Sequence, residues 1–428
     1  MPSRVAWLAF DADQQRQTQL LVAALNETSA IDELGLGVFR DLITGALHPG
    51  LTVLHTRAKY LLFIPHDFKS LSGDSADSVA AEAERREVRL ISTLLDFYRA
   101  DQSGDSDRGI IGRRGGADTR RPSDAYWGLL RRLDIVHGPG AASRRALFEE
   151  VAESKAAARG ALGFRSDDDV DTESNTAWRE LPPIALDRGF AFTREEADWL
   201  AQRFRDAERH VEPDRRSLIH WLLTESQADP VGALERLRDA HRPGEHEALE
   251  SMPAATRHVV YLGSELNRVA YGARILYNYL CATGMPAHAP DRDEYVDRHD
   301  ESLTAWAAEF RSDPVTPETI GALDDWARSE LERRRAPGAS IHRLRRAHSF
   351  LSDWQRLAES PIDLRSSDAA ARLVTQREAL LKPGRARINN TELLRTWGGE
   401  SGLMNFDYNW VVARRVIGDV CEGLAANA

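Results

Sequence analysis

Two kinds of residue pattern in this sequence bear on chemistry. Acids beside a lysine could hold a metal and cut a phosphodiester, whereas clusters of arginine could hold a phosphate without cutting it. A metal-dependent nuclease needs two carboxylates around Mg²⁺ and a nearby Lys to stabilise developing charge. Only Lys69 and Lys155 have an acid two positions earlier, in Asp67-Phe68-Lys69 and Glu153-Ser154-Lys155. The first follows the apolar run YLLFIP, and Asp41 is its candidate upstream acid. Three-residue matches of this kind arise by chance in a chain with 67 acids, and a solvated loop explains them equally well. Other chemistries have less to stand on. The 13 histidines are dispersed, no His-Glu-x-x-His is present, and the Gly/Arg-rich run RGIIGRRGG at 108–116 lacks the Lys-Ser/Thr ending of a nucleotide-phosphate loop. Gly-x-Ser-x-Gly is absent. The expectation is therefore no catalytic residue, no metal and no cofactor.

The arginine clusters are better motivated. Arg113, Arg114, Arg120 and Arg121 precede a short amphipathic segment, Asp124–Leu133, that carries Arg131 and Arg132. Pro-Ser opening such a helix, which closes on Leu-Asp-Ile-Val, matches a winged-helix-like unit over 109–136; in it these arginines would meet phosphates while the helix enters a groove. A plain helical hairpin has the same pattern. The second cluster, Arg333, Arg334, Arg335, Arg343, Arg345 and Arg346, lies in a stretch without Asp or Glu from 333 to 348. Lys382, Arg385 and Arg387 would join it if the following helices fold back. Helix-capping arginines paired with acids on neighbouring elements are the plainer reading.

These residues must be positioned mostly by helices. Thr193-Arg194-Glu195-Glu196 is a capping box ahead of Trp199, Leu200 and Phe204, and further helices begin near Pro213 and Pro230. The longest apolar-periodic stretch, Ala254–Cys281, predicts a central helix whose Gly263 and Gly272 allow close crossings. Further helices are expected near 291–311, 316–335, 340–359, 366–382 and 407–425, with their tryptophans as packing anchors. Ala80–Ala100 reads as a helix, while Thr52–Pro65 is compatible with strand or helix. Acidic links at Asp101–Asp107 and Arg165–Asn175 read as solvated loops. The resulting expectation is a mainly α multi-helix bundle with a more mixed N-terminal part, divided into 1–165, 166–289 and 290–428.

Four stretches carry a family likeness: DELGLGVFRD (32–41), HTRAKYLLFIP (55–65), GIIGRRGGADTRRPSDAYWGLLRRLDIV (109–136), and YGARILYNYL (271–280) with Trp397–Gly423. In the order and spacing of these motifs the chain resembles bacterial proteins of domain-of-unknown-function family 6361, over nearly its whole length. The resemblance implies a large, mainly helical, cytoplasmic protein of unassigned activity. It also implies company with helicase and phospholipase-D-like nuclease genes in phage-defence loci, hence a helicase or nuclease subunit as protein partner and DNA or RNA as a further one. His66-Asp67-Phe68 replaces an aromatic pair of the family pattern, and the central helix lacks a His before Gly272-Ala273, so neither place carries over as catalytic.

The 428-residue composition agrees. With 42% hydrophobic and 29% charged residues the chain can bury a core, and a net charge of -11 excludes nucleic acid coating the whole surface, leaving only local patches. Of 56 cations four are lysines, an arginine excess that the codon bias of a GC-rich bacterium explains most simply. Cys281 and Cys421 cannot build a disulfide framework. The opening MPSRVAWLAFDADQQ lacks signal-peptide order and no run reaches the length of a membrane-spanning helix, so a cytoplasmic protein without a membrane partner is expected. The function that follows is a non-enzymatic accessory or scaffold subunit of a bacterial anti-phage defence or DNA-processing assembly, contacting nucleic acid. The alternatives are a metal-dependent nuclease using Asp41, Asp67 and Lys69, and a helical sensor of a small ligand.

Overall fold

The computed structural model describes residues 32–99, 109–113, 115, 120–162 and 177–426. Apolar side chains at three- and four-residue spacing fold them into fifteen α-helices; no strand forms among these residues, and the one β contact is a bridge between Val136 and Trp178. In chain order the helices are α1 (Gly37–Leu47), α2 (Tyr60–Phe68), α3 (Ala76–Arg99), α4 (Pro122–Arg132), α5 (Arg144–Leu162), α6 (Arg194–Asp206), α7 (Leu218–Ala228) and α8 (Pro230–Asp239). There follow α9 (Ala254–Gly284), α10 (Arg292–Ser312), α11 (Pro317–Arg333), α12 (Gly338–Glu359), α13 (Asp368–Leu381), α14 (Thr391–Arg395) and α15 (Trp410–Ala425). The fold is thus the mainly α multi-helix bundle that the periodicity predicts. Among the described residues, no helix is long and apolar enough to cross a membrane.

The helices gather into two compact units. Within the described residues the first consists of 48–252 and 409–426, the second of 32–47 and 253–408. Both are discontinuous in sequence, whereas the linkers alone suggest three successive segments. The proposed links at 101–107 and 165–175, like Arg114, lie outside the described residues.

In the first unit α15 packs against α6, α7 and α8, with Trp410, Val416, Ile417 and Val420 buried. The Trp410 indole N–H donates to the Ala240 carbonyl at 3.1 Å, just past the end of α8. The ambiguous stretch 52–65 becomes a turn followed by α2, with Pro65 inside the helix. Every residue from Tyr60 to Pro65 is buried, so no polar face marks the helical period. Among the described residues of 109–136 there is a turn and one helix, and no wing. Eight of the eleven residues of α4 are buried, leaving Gly128, Arg131 and Arg132 to solvent.

The second unit is organised on α9. Its Leu262, Leu266, Val269, Ala273 and Leu276 are inaccessible, and α1, α10, α12 and α13 pack around it. Gly272 lets α10 approach: a Cβ built there would overlap the Trp306 ring. Trp306 cannot easily withdraw. Its indole donates to the Arg268 carbonyl at 3.0 Å, and its ring stacks on Trp354 at 5.8 Å, whose own indole donates to the Val269 carbonyl at 2.9 Å. Gly272→Ala should therefore destabilise the protein by about 1–3 kcal/mol through overpacking, despite a helix-propensity gain of about 1 kcal/mol. Gly321→Ala in α11, where a Cβ meets nothing within 4 Å, should stabilise by up to about 1 kcal/mol. Urea unfolding midpoints of the two variants should shift in opposite directions.

Candidate functional site

Two of the motif stretches, 55–65 and 109–136, converge in the first unit with the end of a third, 409–423. Tyr126 on α4 buries its hydroxyl under the turn before α2, where it accepts the N–H groups of Thr56 (2.8 Å) and Arg57 (3.0 Å) and donates to the Arg57 carbonyl (2.7 Å). Thr56 donates its hydroxyl to the Gly109 carbonyl at 2.6 Å, and Tyr60 accepts the Ile111 N–H at 3.0 Å. Gly109 has φ +78°, and a Cβ there would press at 3.0 Å on the side chains of Thr56 and Arg57, so both conformation and space demand glycine. His55 anchors the turn. Its Nδ1 faces the Thr52 N–H at 3.2 Å and its Nε2 the Ala125 carbonyl at 3.1 Å, a pattern that assigns the neutral ring with its proton on Nε2. Burial pushes the His55 pKa down to about 4, partly opposed by the bond to Ala125.

Arg57, held by this turn, meets Asp419 of α15. The guanidinium takes the carboxylate with Nε at 3.0 and 3.1 Å and Nη2 at 2.7 Å, and the Ala58 N–H adds a fourth contact at 2.8 Å. Burial raises the Asp419 carboxyl above its ordinary value, against the pull of Arg57 and the Ala58 N–H. The Arg57 guanidinium also lies 5.0 Å from the Phe190 ring centre. This pair forms one wall of a cleft of about 580 Å³. Arg414 and Arg415 of α15 and Arg238 of α8 add three guanidiniums, Glu422 a second carboxylate, and Leu234, Leu237 and Val411 an apolar side. Such a cleft can hold an anion, and its chemistry offers no nucleophile.

Two residues beyond Arg57, Lys59 is fully buried against fully buried Glu196, with Nζ 3.2 Å from Oε2. The ammonium also donates to the carbonyls of Ala185 (2.9 Å) and Ala191 (2.6 Å), so all three protons are used. Glu196 in turn accepts the N–H groups of Ala185 and Thr193 at 2.9 and 2.7 Å. This pair is structural and has no path to a ligand.

The arginines singled out from sequence are placed as follows. Arg121 pairs with Glu84 at 2.6 Å, Arg131 donates to the Ala142 carbonyl at 3.2 Å, and Arg132 pairs with Glu208 at 3.4 Å. Arg113 and Arg120 are half-buried and also engaged by neighbours. In the second unit Arg333 and Arg334 both pair with Glu330, outside the acid-free stretch by three positions. Lys382 and Arg387 pair with buried Glu33, Arg387 at 3.0 Å. Exposed Arg335, Arg345, Arg346 and Arg385 have no carboxylate partner among the described residues, and Arg343 meets only the Ser340 hydroxyl at 3.3 Å. The nuclease candidates are divided between the two units. Asp41 belongs to the second unit, two-thirds exposed and paired with Arg40, while Asp67 and Lys69 belong to the first. Burial lifts Asp67 to about 6, and no group of three His, Cys, Asp or Glu suited to a metal occurs among the described residues.

Sequence reasoning missed the cleft. Arg57 and Asp419 both sit inside quoted motif stretches, and Arg414-Arg415 is a visible doublet, but Arg57 and Asp419 are 362 positions apart and no local pattern joins them. It also missed Arg377, whose buried guanidinium crosses Phe350 and donates to the carbonyls of Leu34, Gly35 and Arg346 at 2.7–3.1 Å.

Fold and site together define a helical protein with an arginine-lined cleft in its first unit. The family model described as a family of unknown function (DUF6361) matches residues 2–214 and 240–423, and the chain belongs to that family. Comparison with curated proteins and with solved structures gives no match.

The depressed His55 pKa has a measurable sign. A histidine that ionises at about 4 when folded and 6.5 when unfolded contributes stability that is complete above pH 6.5 and is lost as pH falls toward 4. The stability deficit of His55→Gln should therefore shrink by up to about 3 kcal/mol between pH 7 and pH 4, measured by denaturant unfolding at each pH.

Proposed function

We propose that this chain is a non-enzymatic binding subunit of a bacterial anti-phage defence or DNA-processing assembly, and that α12 of the second unit is its contact with nucleic acid. The carrying observation is the set of exposed arginines, Arg343, Arg345 and Arg346, without a carboxylate partner among the described residues of a chain whose net charge is -11. Arg343 and Arg346, three residues apart, share one helix face. Beneath them Arg377 adds a further guanidinium, whose hydrogen bonds go to carbonyl oxygens and whose charge is opposed by the Asp32 carboxylate. Arg335 and Arg385 extend the same character. Phosphates are the partners such guanidiniums suit best, through paired, parallel N–H donors. A helicase or nuclease subunit as protein partner rests on the genomic company that the resemblance implies.

Fluorescence anisotropy with labelled DNA and RNA across a salt series tests the reading. Binding should weaken steeply with salt, because each phosphate contact releases condensed counterions. Arg343→Glu with Arg346→Glu should abolish binding while shifting stability by no more than about 1 kcal/mol, since exposed arginines contribute little to folding. Unchanged affinity and salt slope in the double variant would remove α12 as the contact. Incubation with Mg²⁺ or Mn²⁺ should leave nucleic acid intact, and cleavage that Asp67→Ala abolishes would establish the nuclease reading instead.

A further inference from the structure

We infer that the cleft of the first unit binds an organic phosphate, specifically a phosphate monoester on a flat or apolar body, of which a nucleoside monophosphate is the type. This site lies in the unit that the nucleic-acid reading does not use.

Charge states the anionic half of the ligand. Four guanidiniums, from Arg57, Arg238, Arg414 and Arg415, face two carboxylates, from Asp419 and Glu422, which leaves a surplus of two positive charges. A monoester phosphate near neutral pH carries close to two negative charges. The carboxylates do not consume the arginines evenly. Asp419 is spent on Arg57, in a pair held on both sides by the motif turn, whereas Glu422 approaches Arg238 only at 3.7 Å with both side chains more than half exposed. Arg414 is oriented by a 2.9 Å bond from its guanidinium to the Arg238 carbonyl, the last turn of α8. Arg415 has no partner among the described residues. Two adjacent guanidiniums on α15 are therefore available to a phosphate. Arg57 is a rigid wall beside them.

Shape and polarity state the rest. Leu234, Leu237 and Val411 line the other side, and Val411 is 54% exposed, an apolar surface facing a charged one across a space of about 580 Å³. That volume falls within the roughly 300–1,000 Å³ typical of small-molecule sites. Gly418 lies on the floor, and a Cβ there would meet only Leu237, at 3.8 Å. Inorganic phosphate leaves the apolar side unused, and a polar sugar phosphate gains nothing from it. A phosphate carrying an aromatic base uses both sides, with the base covering Val411 and the leucines.

The test is calorimetric titration of the full chain with AMP, inorganic phosphate, adenosine and a 5′-phosphorylated oligonucleotide. AMP should bind more tightly than both inorganic phosphate and adenosine. Arg414→Ala with Arg415→Ala should weaken AMP by about tenfold or more, and Val411→Ser should weaken AMP while leaving inorganic phosphate unchanged. Thermal melts of the same variants establish that they fold, and Arg343→Glu with Arg346→Glu, in the other unit, should bind AMP normally whatever it does to nucleic acid. If the oligonucleotide competes with AMP and binds more tightly, the phosphate comes from a strand end; if it does not compete, the source is a free nucleotide. No heat with AMP at about 1 mM, AMP no tighter than inorganic phosphate, or AMP affinity unchanged in the Arg414/Arg415 variant would each overturn the inference.

Discussion

The first unit depends on burying one ammonium. Lys59 and Glu196 are both fully buried, where isolated charges would each cost several kcal/mol of lost hydration. The cost is offset because all three ammonium protons and both carboxylate oxygens have partners. Lys59 spends its three donors on Glu196 and two carbonyls, and Glu196 spends its oxygens on Lys59 and two backbone N–H groups. Removing one partner would leave the other charged and dry, a loss of about 3–5 kcal/mol. The pair therefore fixes the entry to α2, the segment from Ala185 to Ala191 and the start of α6 in one geometry. Arg57, two residues upstream, inherits its position from that constraint and from the Tyr126 hydroxyl. The polar wall of the cleft is thus set by groups that solvent never reaches.

Much of the scaffold was legible, and its reasons are local. The Thr193–Glu196 capping box forms with both of its hydrogen bonds, at 3.2 and 2.7 Å, because the four residues involved are adjacent. Ala254–Cys281 shows its stripe because one face alone is apolar, and the helix runs on to Gly284. Where burial is complete the signal vanishes, as in α2, which has no polar face to set against its apolar one. Charge was harder still. Arg333 and Arg334 share Glu330 at helical spacings of three and four, which inspection three positions upstream reveals. Glu33 pairs with Lys382 and Arg387 across some 350 positions, and Asp419 meets Arg57 across 362, which only the folded chain brings together. Glu196 shows both cases, since its capping role is readable and its bond to Lys59 is not.

The excess of arginine over lysine acquires a structural meaning beside its compositional one. Several guanidiniums cross-link backbone carbonyls rather than carboxylates: Arg377 at Leu34, Gly35 and Arg346, Arg311 at Ala358 and Ile362, Arg414 at Arg238. Ala358 and Arg238 lie in the last turns of α12 and α8, where carbonyls lack helical partners and the helix dipole is negative. A planar fork with five donors can join two such ends at once, which a lysine does less well. The charge remains on the guanidinium after its donors are used. Structural arginines thus contribute to the positive field of the surfaces above them.

The interleaving of the two units has a consequence in time. Arg57 leaves the ribosome 362 residues ahead of the aspartate that receives it, an interval of roughly 20–70 s at about 5–20 residues per second. Until α15 is synthesised, the apolar sides of α6, α7 and α8 that it will cover have no lid. The second unit needs less patience, since α9 to α14 are made in one continuous run and α1 is already waiting. The first unit, most of whose helices are made before α9, is thus the last to close, and the nascent chain must be kept from aggregating meanwhile.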